Sequence, residues 1–229
     1  MHATAIIPVK RFRAAKRRLL GTLDAPQRTE LVEAMLIDVL GSVTACEAVE
    51  RVIVVSGERR AERIALRQAQ RTTTPLEVLR EPTDTGHSDA ATLGIFRAKA
   101  LGAQCAALLP GDCPLLDPAE LGEALGRMQA GRVAVVPDRH GTGTNALLLS
   151  PPDAIGPAFG PESRARHAHR GRAAGHEVAI EALDSIGPDV DTPDDLAHIA
   201  AALESQPGRA KATAAALVRL GLLDDRARA

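Results

Sequence analysis

Gly111-Asp112-Cys113-Pro114 follows directly on the apolar run Cys105-Ala106-Ala107-Leu108-Leu109, and Asp189-Val190-Asp191-Thr192-Pro193 stands directly before a helical stretch. In an open α/β sheet, ligands bind outside the carboxyl ends of the strands. An aspartate just past a buried strand therefore points to where a ligand sits. Magnesium takes one or two carboxylates and keeps waters and substrate phosphates as its other ligands. Asp112, Asp189 and Asp191 suit that chemistry better than they suit core packing. Asp189 and Asp191 read as positions i and i+2 on a strand end, on one side of the chain, where they repel unless a cation separates them. Thr192 reads as a helix N-cap with Pro193 at the first helical position. Capping accounts for Thr192 but not for both aspartates.

A second group is cationic. Pro8-Val9-Lys10-Arg11-Phe12-Arg13-Ala14-Ala15-Lys16-Arg17-Arg18-Leu19 holds six basic residues just after a first strand. Cations and free backbone N–H groups in that position can hold a triphosphate. The segment is not a P-loop, because G-x-x-x-x-G-K-[ST] is absent. Charge alone reads as a solvated helix face; the position after strand one gives Lys10 and Lys16 an equal claim to phosphate.

The third group is Asp138-Arg139-His140-Gly141-Thr142-Gly143-Thr144-Asn145, followed by Phe159-Gly160-Pro161-Glu162-Ser163. Gly141 and Gly143 allow close backbone approach to a ligand. Thr144 and Ser163 offer hydroxyls, and Ser163 falls in the first turn of a helix, where an anion is favoured. The plain alternative is a hairpin turn and an ordinary capping segment. Arg164, Arg166, His167, His169 and Arg170 continue that helix. Most of such a charge run is solvated face, with one or two side chains left for an anion. Gly86, His87 and Ser88 form another loop-to-helix junction, with Ser88 as N-cap. Cys113 reads as a small packed residue.

The elements that must carry these groups alternate. Strands are expected at Thr4–Val9, Val52–Val55, Leu76–Leu79, Cys105–Leu109, Val133–Val136, Asn145–Leu149 and Val178–Leu183. Helices are expected around Ala14–Leu20, from Pro26 through the periodic residues Leu31 to Val43, and at Glu58–Gln70, Asp89–Leu101, Pro118–Met128, Glu162–Ala174 and Pro193–Leu203. That alternation implies an α/β fold with a mainly parallel sheet covered on both faces. Ser205–Gly208 reads as a linker, and Ala210–Leu222 as a helix packed on the domain or on a second subunit.

Composition narrows the function classes. The chain has 229 residues, no Trp or Tyr, three Phe, and a net charge of −1. Base-stacking platforms need aromatics and nucleic-acid footprints need net positive charge, so no nucleic-acid partner is expected. Cys46, Cys105 and Cys113 form no C-x-x-C spacing, and no disulfide framework or structural zinc site is readable. No signal-peptide stretch and no membrane-spanning run is apparent, so no membrane partner is expected and the compartment is taken as the cytoplasm.

In this order, Ile7-Pro8-Val9-Lys10 with Ala15–Leu19, Leu109–Leu115, Gly141–Leu147, Phe159–Ser163 and Asp189–Leu196 resemble the guanylyltransferases of coenzyme F420 biosynthesis. The resemblance covers about Ala5 to Ala201. It implies a nucleotidyltransferase (Rossmann-like, GT-A-like) domain over residues 1–204, with 205–229 a linker and helical extension. It further implies transfer of GMP from GTP to a small phosphorylated acid, with release of pyrophosphate. Members use 2-phospho-L-lactate, phosphoenolpyruvate or, in some bacteria, 3-phospho-D-glycerate; phosphoenolpyruvate, the acceptor of bacterial relatives, is expected here. Asp112, Asp189 and Asp191 match the family's Mg²⁺ ligands. Thr144, Gly160 and Ser163 match positions that hold the acid. Lys10 and Lys16 match the phosphate-contacting segment and, with Asp112, are the expected catalytic residues. Pro8, Gly86 and Ser88 join Lys10, Lys16 and Asp112 on the nucleotide side. A homodimer is an open partner. The competing readings are a nucleotidyltransferase for a sugar phosphate or another cofactor precursor, and a non-catalytic nucleotide-binding module.

Overall fold

The computed structural model describes residues 2–12, 15–81, 86–186 and 190–224. Its strands are β1 (Ala3–Val9), β2 (Val49–Ser56), β3 (Leu76–Arg80), β4 (Ala106–Leu108), β5 (Arg132–Pro137), β6 (Thr144–Ser150) and β7 (Glu177–Ile180). They form one sheet in the order β3-β2-β1-β4-β6-β5-β7. β3, β2, β1 and β4 run parallel, β6 runs against both β4 and β5, and β7 is parallel to β5. The expected mainly parallel mixed sheet is what the chain forms.

Strand periodicity splits the core into two layers. Ala5, Ile7, Val52, Val54, Ala107 and Leu148 face one side. There they meet α1 (Ala25–Ala45), α2 (Arg59–Ala69), α4 (Pro118–Gly126), α6 (Pro193–Ser205) and α7 (Lys211–Arg219). Ile6, Ile53, Val55, Leu108, Val133 and Leu147 face the other side. That side is covered by α3 (His87–Ala100) and α5 (Ser163–Ala173). α3 lies so close that a Cβ on Gly94 would stand 2.3 Å from Ile6 Cγ2.

Helix starts follow their capping chemistry. Asp24 makes a capping box with Gln27 at the start of α1. Thr192 does the same with Asp195 ahead of Pro193, as its sequence position suggests. α7 packs on α1, and the Asp38 carboxylate accepts from Ala212 N at 3.0 Å and Thr213 N at 2.7 Å.

Several expectations need correction. Of the helix expected around Ala14–Leu20, Ala14 lies outside the described residues and the described residues form a 3-10 turn at Arg17–Leu19, preceded by Lys16 with φ of 56°. The N-cap of α3 is Gly86, with φ of 112°, so Ser88 lies inside the helix and caps nothing. Val190 and Asp191 are irregular chain ahead of α6 rather than a strand end, and Asp189 lies outside the described residues. The last strand stops at Ile180, and Leu183 is buried in the turn beyond it.

Candidate active site

The sheet's polarity gathers the chemistry at one edge. β1 and β4 end there, delivering Lys10 and Pro110-Gly111-Asp112. β6 runs the other way, so its first residue, Thr144, arrives at the same edge. The β5–β6 connection and the segment leading into α5 close the far wall. Together they line a cleft of about 710 Å³, within the size range of small-molecule sites. Pro8, Lys10, Lys16, Ser88, Asp112, Thr144, Gly160, Ser163 and Asp191 all reach it. Gly86 does not line it, and positions His87 and Ser88 from the α3 N-terminus instead.

At its floor lies a charge cluster. The Lys16 ammonium, on a side chain only 4% exposed, donates to Asp191 Oδ1 at 2.9 Å and to Asp112 Oδ2. Burial disfavours the charged lysine, but the two carboxylates outweigh it and hold Lys16 above the ordinary lysine value. Burial likewise pushes Asp112 up, and Lys16 more than offsets it, so Asp112 sits below the usual carboxylate range. Two like charges thus face one position with a cation between them, and here the cation is an ammonium. Among the described residues no group of three or more His, Cys, Asp or Glu side chains is placed to hold a metal. Asp112 and Asp191, converging on that point, are the side chains that would hold a divalent ion such as Mg²⁺, which takes one or two carboxylates beside waters and substrate phosphates.

Asp195 sets where Asp191 stands, a role the sequence did not single out. Its buried carboxylate accepts from Asp191 N at 3.0 Å, Thr192 N at 2.6 Å and Thr192 Oγ1 at 2.8 Å. Arg139 pairs with it at 2.6 Å, tying the β5–β6 connection to α6. Burial raises Asp195, and these hydrogen bonds bring it below the ordinary value. Asp138 is a further carboxylate on the cleft wall; its Oδ1 accepts from Thr142 N at 3.0 Å. A Cβ on Gly143 would fall 2.5 Å from Asp138 Oδ2, which explains a glycine there.

The opposite wall is built around α5. Ser163 is its first residue, 1% exposed, and among the described residues its hydroxyl has no hydrogen-bond partner. Gly160, with φ of 112°, turns the chain into this helix. The charge run on α5 is less solvated than expected. Arg164, His169 and Arg170 are exposed, but His167 is fully buried. His167 Nδ1 lies 3.0 Å from Thr144 Oγ1, and Nε2 accepts from Ala158 N at 2.8 Å. Arg166 donates to Ala158 O and Arg170 to Gly156 O, so α5 fastens the loop that carries Gly160. Phe159 packs edge-on against His87 and His167, at 4.8 and 5.2 Å between ring centres. Ser88 Oγ accepts from Phe159 N at 3.1 Å, so it braces this loop. The Asn145 amide donates to Ile186 O, and Cys113 is buried as expected.

Residues 3–212 match the family described as "Guanylyl transferase CofC like". A protein of Conexibacter woesei named phosphoenolpyruvate guanylyltransferase is 42% identical over 222 residues, covering 96% of this chain and 97% of its own. One of the same name from Mycolicibacterium gilvum is 38% identical, over 83% of this chain and 86% of its own. Among solved structures, the 4-diphosphocytidyl-2C-methyl-D-erythritol synthase of Anaerococcus prevotii superposes with a TM-score of 0.63 at 9% identity, covering 88% of this chain and 96% of that one. That likeness is one of fold, and the fold is that of nucleotidyltransferases. With a family match across nearly the whole chain and relatives well above a third identical, the protein belongs to the CofC-like guanylyl transferases.

Proposed function

We propose that this enzyme transfers GMP from GTP to phosphoenolpyruvate, releasing pyrophosphate, as a step toward coenzyme F420. Relatives up to 42% identical are named phosphoenolpyruvate guanylyltransferase, which supports the acceptor. The observation that carries the reading is the buried Ser163 hydroxyl, without a hydrogen-bond partner among the described residues, at the start of an 11-residue helix. An unsatisfied buried hydroxyl is costly, and a helix N-terminus attracts negative charge. Both are relieved by a bound phosphate or carboxylate. This anion position shares one cleft with the Lys16–Asp112–Asp191 cluster.

An oxygen of the acid's phosphate attacks the α-phosphorus of GTP in line. The new P–O bond forms as the bond to the β-phosphate breaks, and pyrophosphate leaves. The acceptor phosphate is already ionised near neutral pH, so no strong base is needed. The barrier is mutual repulsion of two polyanions, and positioned charge lowers it. Thr144, Gly160 and Ser163 orient the acid. Lys10 and Lys16 face the triphosphate and offset charge on the departing pyrophosphate, with Pro8 and Ser88 on the same side. Asp112 and Asp191, together with Asp189, would hold Mg²⁺, which supplies charge neutralisation at the phosphates when bound.

The test is to incubate the protein with GTP, Mg²⁺ and a panel of phosphoenolpyruvate, 2-phospho-L-lactate, 3-phospho-D-glycerate and sugar phosphates, weighing the products and following pyrophosphate. Guanylylated phosphoenolpyruvate is the expected product. Turnover confined to a sugar phosphate, or GTP binding with no turnover on any acceptor, overturns the proposal.

A further inference from the structure

We propose that His167, a buried residue on α5 that lines no part of the cleft, is the positioning residue that makes Thr144 a hydrogen-bond donor to the acid. The inference rests on the proposed function in one respect: that Thr144 meets an anion.

Two hydrogen bonds fix the argument. Ala158 N–H donates to His167 Nε2 at 2.8 Å, so Nε2 presents its lone pair. A neutral imidazole with an accepting Nε2 carries its proton on Nδ1. Nδ1 lies 3.0 Å from Thr144 Oγ1, so the ring donates and the hydroxyl accepts. The ring cannot turn to reverse these roles. It is fully buried, and Phe159 packs edge-on against it at 5.2 Å. Arg166 holds Ala158 O at 2.8 Å, which keeps Ala158 N–H aimed at the ring.

The Thr144 hydroxyl therefore has one lone pair engaged and its own proton free. Among the described residues it has no other hydrogen-bond partner, and it borders the cleft. A hydroxyl left to rotate offers an anion either a lone pair or a proton. A hydroxyl already receiving from Nδ1–H is biased to present the proton. Phosphate and carboxylate oxygens only accept, so this presets the side chain for the substrate's charge before it arrives. Burial, then Arg170 and Arg166, hold the ring at about 4, so it stays neutral near pH 7 and the relay persists.

The test has two arms. Nitrogen-15 NMR of histidine-labelled enzyme reads the tautomer without any turnover. Protonated Nδ1 and bare Nε2 are expected for His167; a proton on Nε2 overturns the inference. The second arm is kinetic. His167→Gln can keep an acceptor for Ala158 N–H but not a donor for Thr144. It is expected to raise the acceptor KM about ten-fold with the KM for GTP little changed. His167→Asn, whose amide nitrogen falls near the Nδ1 position, is expected to recover most of that loss. In a Thr144→Val background His167→Gln is expected to add nothing further. An equal effect in both backgrounds, or a matching rise in the GTP KM, shows a merely structural histidine and overturns the inference. If wild-type enzyme turns over no acid, the functional proposal fails, and binding of phosphoenolpyruvate followed at the His167 Nδ1 resonance decides this one: no perturbation overturns it.

Discussion

At the scale of single residues, the site is governed by charges that would be intolerable alone. Lys16 is buried because Asp112 and Asp191 share it, and those two carboxylates come together because Lys16 lies between them. Neutralising one carboxylate leaves the other still paired, so the fold survives while the positioned charge is lost. Asp112→Asn and Asp191→Asn are each expected to cut kcat/KM by at least about a hundred-fold with an unchanged far-ultraviolet spectrum. Full activity in either variant would remove these carboxylates from the chemistry. His167 gives a pH signature. Its folded-state value of about 4 lies below the ordinary 6.5. The unfolded chain therefore binds more protons between those limits. The stability this imposes is fully present above the ordinary value and is lost as pH falls toward about 4. The difference in unfolding free energy between wild type and His167→Gln is expected to shrink by about 3 kcal/mol across that window, measured by denaturant titration at a series of pH values.

Among the elements, two contacts position the site without touching a ligand. The N-terminus of α6 is closed by the capping box of Thr192 and Asp195, and the same Asp195 carboxylate receives Asp191 N and Arg139. Asp195→Ala is expected to cost about 1–2 kcal/mol of stability. It should lower kcat as well, because Asp191 loses the contact that aims it; an unaltered kcat would show that Asp191 is held by other means. α3 seats against β1 and β2 only because Gly94 has no Cβ, with Ile6 Cγ2 at 2.3 Å and Val55 Cγ2 at 3.2 Å from where one would be. Gly94→Ala is expected to destabilise by about 1–3 kcal/mol through overpacking. Chemical denaturation measures it, and a stabilised variant would show that α3 moves out at little cost.

For the molecule as a whole, the reversed strand β6 is the decisive feature. In a purely parallel sheet the residue that begins a strand lies far from the ligand edge. Reversal brings Thr144 to the edge where β4 delivers Asp112, so the residues proposed for the two substrates line one cleft. The C-terminal helix belongs to the same packing. Ala214, Leu217 and Leu223 join the core that α1 dominates, and Asp38 anchors the start of α7. Deleting residues 209–229 removes that burial, at a cost of about 5 kcal/mol, and is expected to lower Tm by about 15 °C in calorimetry. A truncated protein with the parent's Tm would make α7 an appendage. Among the described residues no helix is long and apolar enough to cross a membrane.

The alternation of apolar runs with helical periodicity was enough to read the α/β class and nearly every element, because burial against a two-faced sheet imposes both periods on the chain. Asp112, Asp191, Thr144 and Ser163, which the fold brings to one cleft, stood out because short acidic and hydroxyl clusters at strand and helix ends are not demanded by core packing, and Gly160 stood out through the family resemblance. Asp189 was singled out with them and lies outside the described residues. What the sequence could not show was who faces whom. The charge run on α5 reads as solvent-exposed, yet one helical position, His167, turns inward to Thr144 while its neighbours Arg166 and Arg170 fasten a loop. Ser88 looks like a cap and instead braces Phe159. Lys16 reads with Lys10 as a phosphate-contacting cation, yet among the described residues it stands ahead of a 3-10 turn with its ammonium between Asp112 and Asp191. Those partners are 96 and 175 residues away in the chain. Local propensity carries no information at that separation; only the closing of the sheet edge around them decides it.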